Sequence, residues 1–138
     1  MKLKFLILLL FTTFAMKAQT AINETGNEKV KIIYELRVYE IFENNKNAFH
    51  DRFREHAMRI MKKYNFKICS IWESKSDKKT EFVYTLEWAD EATMKKAWEQ
   101  LRADKEWIEI KKQTSAKFGE LVGNIEDRVM TKMSYSPN

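Results

Sequence analysis

The chain has 138 residues, 44% of them hydrophobic and 33% charged, with three glycines, one proline and one cysteine. Gly26, Gly119 and Gly123 are too few and too scattered for a glycine-rich phosphate loop, and the lone Cys69 forms no internal disulfide, so nucleotide hydrolysis and a disulfide scaffold are excluded. The formal charge of +5 is owed largely to the first eighteen residues: taking Lys2, Lys4 and Lys17 from the 25 bases leaves 22 against 20 acids, a net charge of +2 that gives no reason to expect nucleic acid as a partner.

Residues 1–18 read as an export signal. Lys2 and Lys4 precede an apolar stretch from Phe5 to Ala15, broken only by Thr12 and Thr13, and Met16-Lys17-Ala18 forms the cleavage region before Gln19. This stretch is too short to cross a hydrocarbon core, which takes about 20 residues, so no stable membrane anchor is expected after cleavage. The first arginine is Arg37, which argues against a mitochondrial transit peptide. The expected location is therefore the periplasm or the cell exterior. Residues 19–29 are polar and without period, a flexible lead-in to one domain over residues 30–138.

From Val30 the run VKIIYELRVYEI predicts a strand, with Tyr34, Leu36 and Val38 on an apolar face and Glu35, Arg37 and Tyr39 on the other. Asn44-Asn45 offers a cap for a helix over 45–64, where Phe49, Phe53, Ala57, Ile60, Met61 and Tyr64 recur at threes and fours. Asn65 ends it. Phe66 to Glu73 is a second strand, Ser74 to Thr80 a hairpin loop, and Glu81 to Trp88 a third strand. Asp90 caps a second helix with Met94, Ala97, Trp98 and Leu101 on one side. Asp104 caps a further helical segment over 105–118, which Gly119 ends, and Arg128 to Tyr135 is read as the fourth strand.

The order βαββαβ specifies an α+β, ferredoxin-like domain: a four-stranded antiparallel sheet with helices on one face. The other face, read as carrying Tyr39, Val83 and Met130 or Met133, is too apolar to stay wet, so a homodimer packed sheet to sheet around a cavity is expected.

Glu35, Arg37 and Tyr39 stand two residues apart and point the same way, toward that cavity. They suit an anionic or carbonyl-bearing small ligand, or a buried Arg37–Glu35 ion pair joined by Glu87 that fixes sheet pairing. His50 and His56 lie roughly 120° apart on their helix and cannot share an ion, so no metal site is read. His56, beside the apolar stripe, is the one candidate for general-base work. Cys69 reads as a buried inert thiol and the four tryptophans as core. Arg52, Arg59, Lys62, Lys95 and Lys96 read as solvated helix faces.

The segment Tyr34-Glu35-Leu36-Arg37-Val38-Tyr39 resembles the opening YELRxY of the NIPSNAP family. The likeness continues through His56-Ala57-Met58-Arg59-Ile60-Met61, Asp90-Glu91-Ala92 and Asp104-Lys105-Glu106-Trp107, with Lys105 where the family commonly has proline. The resemblance implies a dimeric α+β barrel, a superfamily that also contains cofactor-free monooxygenases and haem-degrading enzymes; it implies no particular reaction. Three functions remain: a homodimeric small-molecule-binding or structural protein, a cofactor-independent monooxygenase-like enzyme, and a protein-interaction module. No cofactor is expected in any of them.

Overall fold

The structure, a computed structural model, describes residues 31–137. The expected signal at 1–18 and lead-in at 19–29 lie outside them. Strand β1 (Ile33–Ile41) leads into α1 (Lys46–Arg52), a π-helical turn (Phe53–Ala57) and α2 (Met58–Lys63). The hairpin β2 (Lys67–Lys75) and β3 (Thr80–Trp88) follows, then α3 (Glu91–Ala103), α4 (Lys105–Phe118) and β4 (Val122–Met130). The strands form one antiparallel sheet in the order β2-β3-β1-β4. The helices pack on one of its faces.

Register decides which face is which. Ile33, Glu35, Arg37, Tyr39 and Ile41 of β1 pair directly with Trp88, Leu86, Tyr84, Phe82 and Thr80 of β3, and residues opposite each other share a face. Phe82, Tyr84, Leu86 and Trp88 are buried in the core with Phe49, Phe53, Ile60, Met61 and Leu101 from the helices. Glu35, Arg37 and Tyr39 therefore point into the helix-covered layer. Tyr34, Leu36 and Val38 face the helix-free side, where they are half-buried. The expectation was the reverse. Alternation sorts residues into two sets but does not say which set is inside, and here the bulk of β3 makes that choice.

The long helix is continuous but not uniform. Phe49, Phe53, Ala57 and Met61 recur every four residues, a spacing that drifts about 40° per step around an ideal α-helix. The wider i→i+5 turn at Phe53–Ala57 absorbs that drift and keeps the stripe on the sheet. Asn45 occupies the N-cap position but makes no capping bond; its Nδ2 donates instead to the carbonyls of Phe118 at 3.0 Å and Glu120 at 2.9 Å, tying the start of α1 to the end of α4.

The expected caps form at Asp90, which accepts from the Thr93 amide at 2.7 Å, and at Asp104, which accepts from the Trp107 amide at 2.9 Å. Gly119 ends α4 at φ 78°, the left-handed region that glycine enters without strain. The fourth strand starts six residues before the predicted one. The β-rich run at 128–135 suggested the later start, but β1 sets the ladder, pairing Ile41 with Val122 and Tyr34 with Met130. Gly123 lies where that ladder shifts register, and a Cβ there would stand 2.9 Å from Glu40 Oε2.

Strand β2 is an edge, and two expectations fail there. Cys69 sits at a register shift between Ile68 and Ser70 and is exposed, not buried. Trp72 is 52% exposed, because it lies on the helix-free face with only one neighbouring strand beside it. Among the described residues, no helix is long and apolar enough to cross a membrane.

Candidate binding cavity

Helix α4 has no fully buried side chain; Trp107, Ile110 and Thr114 reach only partway toward the sheet. Where it stands off, a cavity of about 330 Å³ opens between β1, β4, α3 and α4. An inner compartment of about 70 Å³ continues toward α1 and β3. The two share Tyr39, Arg52, Trp98, Leu101, Trp107 and Val122. Arg37, Arg102, Lys111, Ser115, Glu120 and Ile125 are among the other residues of the outer part.

Its floor is a polar network set into the core. The Glu35 carboxylate, 2% exposed, accepts from the indole N–H of Trp88 at 2.9 Å and of Trp98 at 2.8 Å, and from Arg37 Nη1 at 3.2 Å. Three donors on one carboxylate satisfy a charge that burial would otherwise penalise heavily. The Arg37 guanidinium lies 4.4 Å from the centre of the Trp98 ring, and its Nη1 is 3.5 Å from the exposed carboxylate of Asp127 on β4. Burial opposes the charge on Arg37 most strongly, but the Tyr39 oxygen, then Tyr84 and Glu35, hold its pKa above the ordinary arginine value. Its Nε is buried without a partner among the described residues.

The expected Arg37–Glu35 pair is thus present, inside the helix layer. Glu87 does not join it; it lies on the opposite face and accepts from Lys67 at 2.6 Å.

Two phenols extend the network. Tyr39 and Tyr84 hydroxyls stand 2.8 Å apart, and Arg37 Nη2 donates to the Tyr39 oxygen at 3.3 Å. Burial, with Tyr39 second, pushes the Tyr84 phenol well above 10, so it keeps its proton. Tyr84 is 1% exposed and has no other side-chain hydrogen-bond partner among the described residues, so its O–H must donate to Tyr39 or be orphaned. Tyr39 then accepts from both Tyr84 and Arg37. Its own O–H is left for whatever occupies the cavity.

Arg52 is the residue the sequence reading missed. Its charge predicts a solvated helix face, yet it is 8% exposed and lines both compartments. Its Nη1 donates to Thr114 Oγ1 at 3.1 Å, and that hydroxyl in turn donates to the Ile110 carbonyl at 2.8 Å. No carboxylate among the described residues lies within 4.0 Å of it. Burial pulls its pKa down, opposed by Glu120 and Tyr39, but a guanidinium stays charged at neutral pH. The available signal was spacing: Arg52 stands three after Phe49 and beside Phe53, within the apolar stripe.

His56 lines neither compartment. His50 faces β2, where its Nε2 lies 3.0 Å from Glu73 Oε2. Of the tryptophans, Trp88 is core, while Trp98 and Trp107 are cavity walls. The described residues contain no group of three or more His, Cys, Asp or Glu able to hold a metal.

A four-stranded antiparallel sheet with helices on one face defines a ferredoxin-like α+β protein. Within that class the chain belongs to the NIPSNAP family, whose model matches residues 34–137. Among solved structures it is similar to a NIPSNAP-like domain protein from Burkholderia xenovorans, at 18% identity and TM-score 0.66, over 79% of this chain and 91% of that one. It is equally similar to a NIPSNAP family protein from Agrobacterium tumefaciens, at 17% identity and TM-score 0.66, over 77% and 97%. A monooxygenase from Streptomyces coelicolor in complex with nanaomycin D matches at 13% identity and TM-score 0.51, over 77% and 91%. At these identities the likeness is one of fold. No curated protein matches the chain.

Proposed function

We propose that this domain binds a small organic molecule in the cavity between β1, β4 and helices α1, α3 and α4. One observation carries the reading: a space of about 330 Å³, within the range of small-ligand pockets, has aromatic and aliphatic walls and a few converging polar groups. A filled core would bring those walls together. Arg37, Tyr39 and Arg52 supply donors directly, and Glu35 acts on the ligand only through Arg37. Thermal-shift screening against aromatic and aliphatic small molecules tests it, since a ligand at a hundred times its Kd adds about 2.7 kcal/mol of stability. Ile125→Trp, which narrows the cavity from β4, should reduce that shift; a shift unaffected by it would place the ligand elsewhere.

Homodimerisation and export belong to the same proposal. Tyr34, Leu36, Val38, Val83, Trp72 and Met130 adjoin across the helix-free face, and a second copy of the chain would cover them. An exported chain would be shortened near Ala18, as intact mass of the cellular protein would report.

A catalytic reading in the same cavity, cofactor-independent oxygenation, draws on the Tyr39 hydroxyl. A phenol backed by a guanidinium and with a free O–H can donate to an oxyanion as it develops on a bound substrate. Oxygen consumption in the presence of a quinol, lost in Tyr39→Phe, would support it; none would remove it.

A further inference from the structure

We propose that the cavity is selective for a monoanion with a flat apolar body, an aromatic monocarboxylate, whose charge is met by Arg52; this rests on the cavity being the ligand site. The charge balance sets the valence. Arg37, Arg52, Arg102 and Lys111 line the cavity or its mouth, against Glu120 at the mouth and Glu35 and Asp127 on Arg37, so four cations meet three anions. Glu35 and Arg37 neutralise each other at 3.2 Å in the floor. Arg102 and Lys111 are exposed and screened by water, so the buried cation with no carboxylate within 4.0 Å is Arg52.

A guanidinium 8% exposed without a carboxylate is an expensive arrangement for a fold to keep, and Thr114 does not relieve it. The Thr114 hydroxyl is neutral and its proton is committed to Ile110, so it orients Arg52 through Nη1, while Glu120 at the mouth and the Trp107 ring at 5.8 Å meet the charge only in part. One carboxylate would compensate it, in the planar geometry a guanidinium matches best. The remaining walls choose the rest of the molecule. Trp98, Trp107, Leu101, Val122 and Ile125 offer rings and aliphatic carbon, and the Tyr39 O–H adds one donor. A bare phosphate would leave that surface uncovered and bring more negative charge than the site lacks.

The direct test uses calorimetric titration of the intact protein with 2-naphthoate, 2-naphthamide, acetate and inorganic phosphate. Naphthoate should bind at least tenfold more tightly than the isosteric amide, with acetate and phosphate far weaker than either. Arg52→Met should abolish the preference for the acid while the urea midpoint holds or rises, because the change removes a buried charge that has no carboxylate partner. If Arg52→Met does not fold, Arg52→Gln serves the same purpose; Lys96→Met, exposed on α3 and outside the cavity lining, should keep the preference, and its loss there as well would mean that the effect is one of net charge and overturn the assignment. Equal affinity for acid and amide in the parent, or a preference that survives both Arg52 variants, overturns the assignment and leaves cavity binding standing. No binding of either naphthalene overturns cavity binding and this inference with it.

Discussion

The two faces of the sheet are built on opposite plans. The face under the helices buries a few charges within its apolar core: Glu35 and Arg37 lie in the floor, Arg52 comes down from α1, and two phenols and two indoles link or wall them. The face without helices holds Tyr34, Leu36 and Val38 beside Val83 and Trp72, and its charges pair at the surface, Lys67 with Glu87 and Arg128 with Glu126. In most small domains the apolar set goes under the helices and the polar set meets water. Here both faces carry charge, and burial is what separates them. A buried carboxylate needs donors, so Glu35 sits in a network with Arg37, Trp88 and Trp98, whereas an ion pair at the surface is screened by water.

The sharpest way to break the covered face is to remove its carboxylate. Glu35→Leu strips the partner from Arg37 and the acceptor from Trp88 and Trp98, and should cost about 3 kcal/mol in urea denaturation. Replacing Glu35 and Arg37 together by Leu and Met should restore only part of that loss, since it removes the orphaned charge but leaves the Trp88 and Trp98 indole N–H groups without an acceptor.

The opposite face should respond differently. Trp72→Lys places a charge where the single chain already leaves the side chain half-exposed, so monomer stability should stay within about 0.5 kcal/mol. If a second copy covers this face, self-association should weaken by about 2 kcal/mol, as light scattering over a dilution series would show. A monomer before and after the substitution would end the homodimer proposal.

The helix layer depends on its α3–α4 corner. Asp104 caps α4 and accepts from Lys63 Nζ at 2.7 Å and Tyr64 Oη at 2.6 Å. Lys63 first, then Tyr64 and the Trp107 amide, hold its carboxyl well below the usual range. A depressed pKa stabilises the fold above the unfolded value of about 4 and loses that contribution as pH falls below it. Asp104→Ala should cost about 1.5 kcal/mol at neutral pH, with the gap in Tm to the parent shrinking under acid.

The smallest expected effect is a gain. Lys105 is the first residue of α4, and Asp104 before it has φ −66° and ψ 119°, a conformation that proline tolerates in its predecessor. Lys105→Pro should therefore raise stability by about 0.5 kcal/mol.

Local chemistry made most of the fold legible. Asp90, Asp104 and Gly119 announce helix ends because their bonds are made within four residues, and the helix over 105–118 appears with the bounds predicted for it. The fourth strand was misplaced because its bounds depend on pairing with β1, almost ninety residues away. At the cavity, Glu35, Arg37 and Tyr39 were legible as one set from alternation alone. Their side of the sheet was not, since it follows from β3. Arg52 was missed for a related reason: a basic residue in a helix is read as solvated unless its place in the apolar stripe is weighed above its charge.

The π turn at Phe53–Ala57 makes the charge inside this cavity a matter of chain length as well as residue type. One residue fewer there would rotate the helix on one side of the turn by about 100° relative to the other. With Ile60 and Met61 anchored in the core, Arg52 would swing out of the cavity without any substitution at position 52. Among relatives, a single-residue deletion in this helix would therefore mark a change in the charge that lines the cavity, and an arginine aligned with Arg52 across such a gap would not be its equivalent.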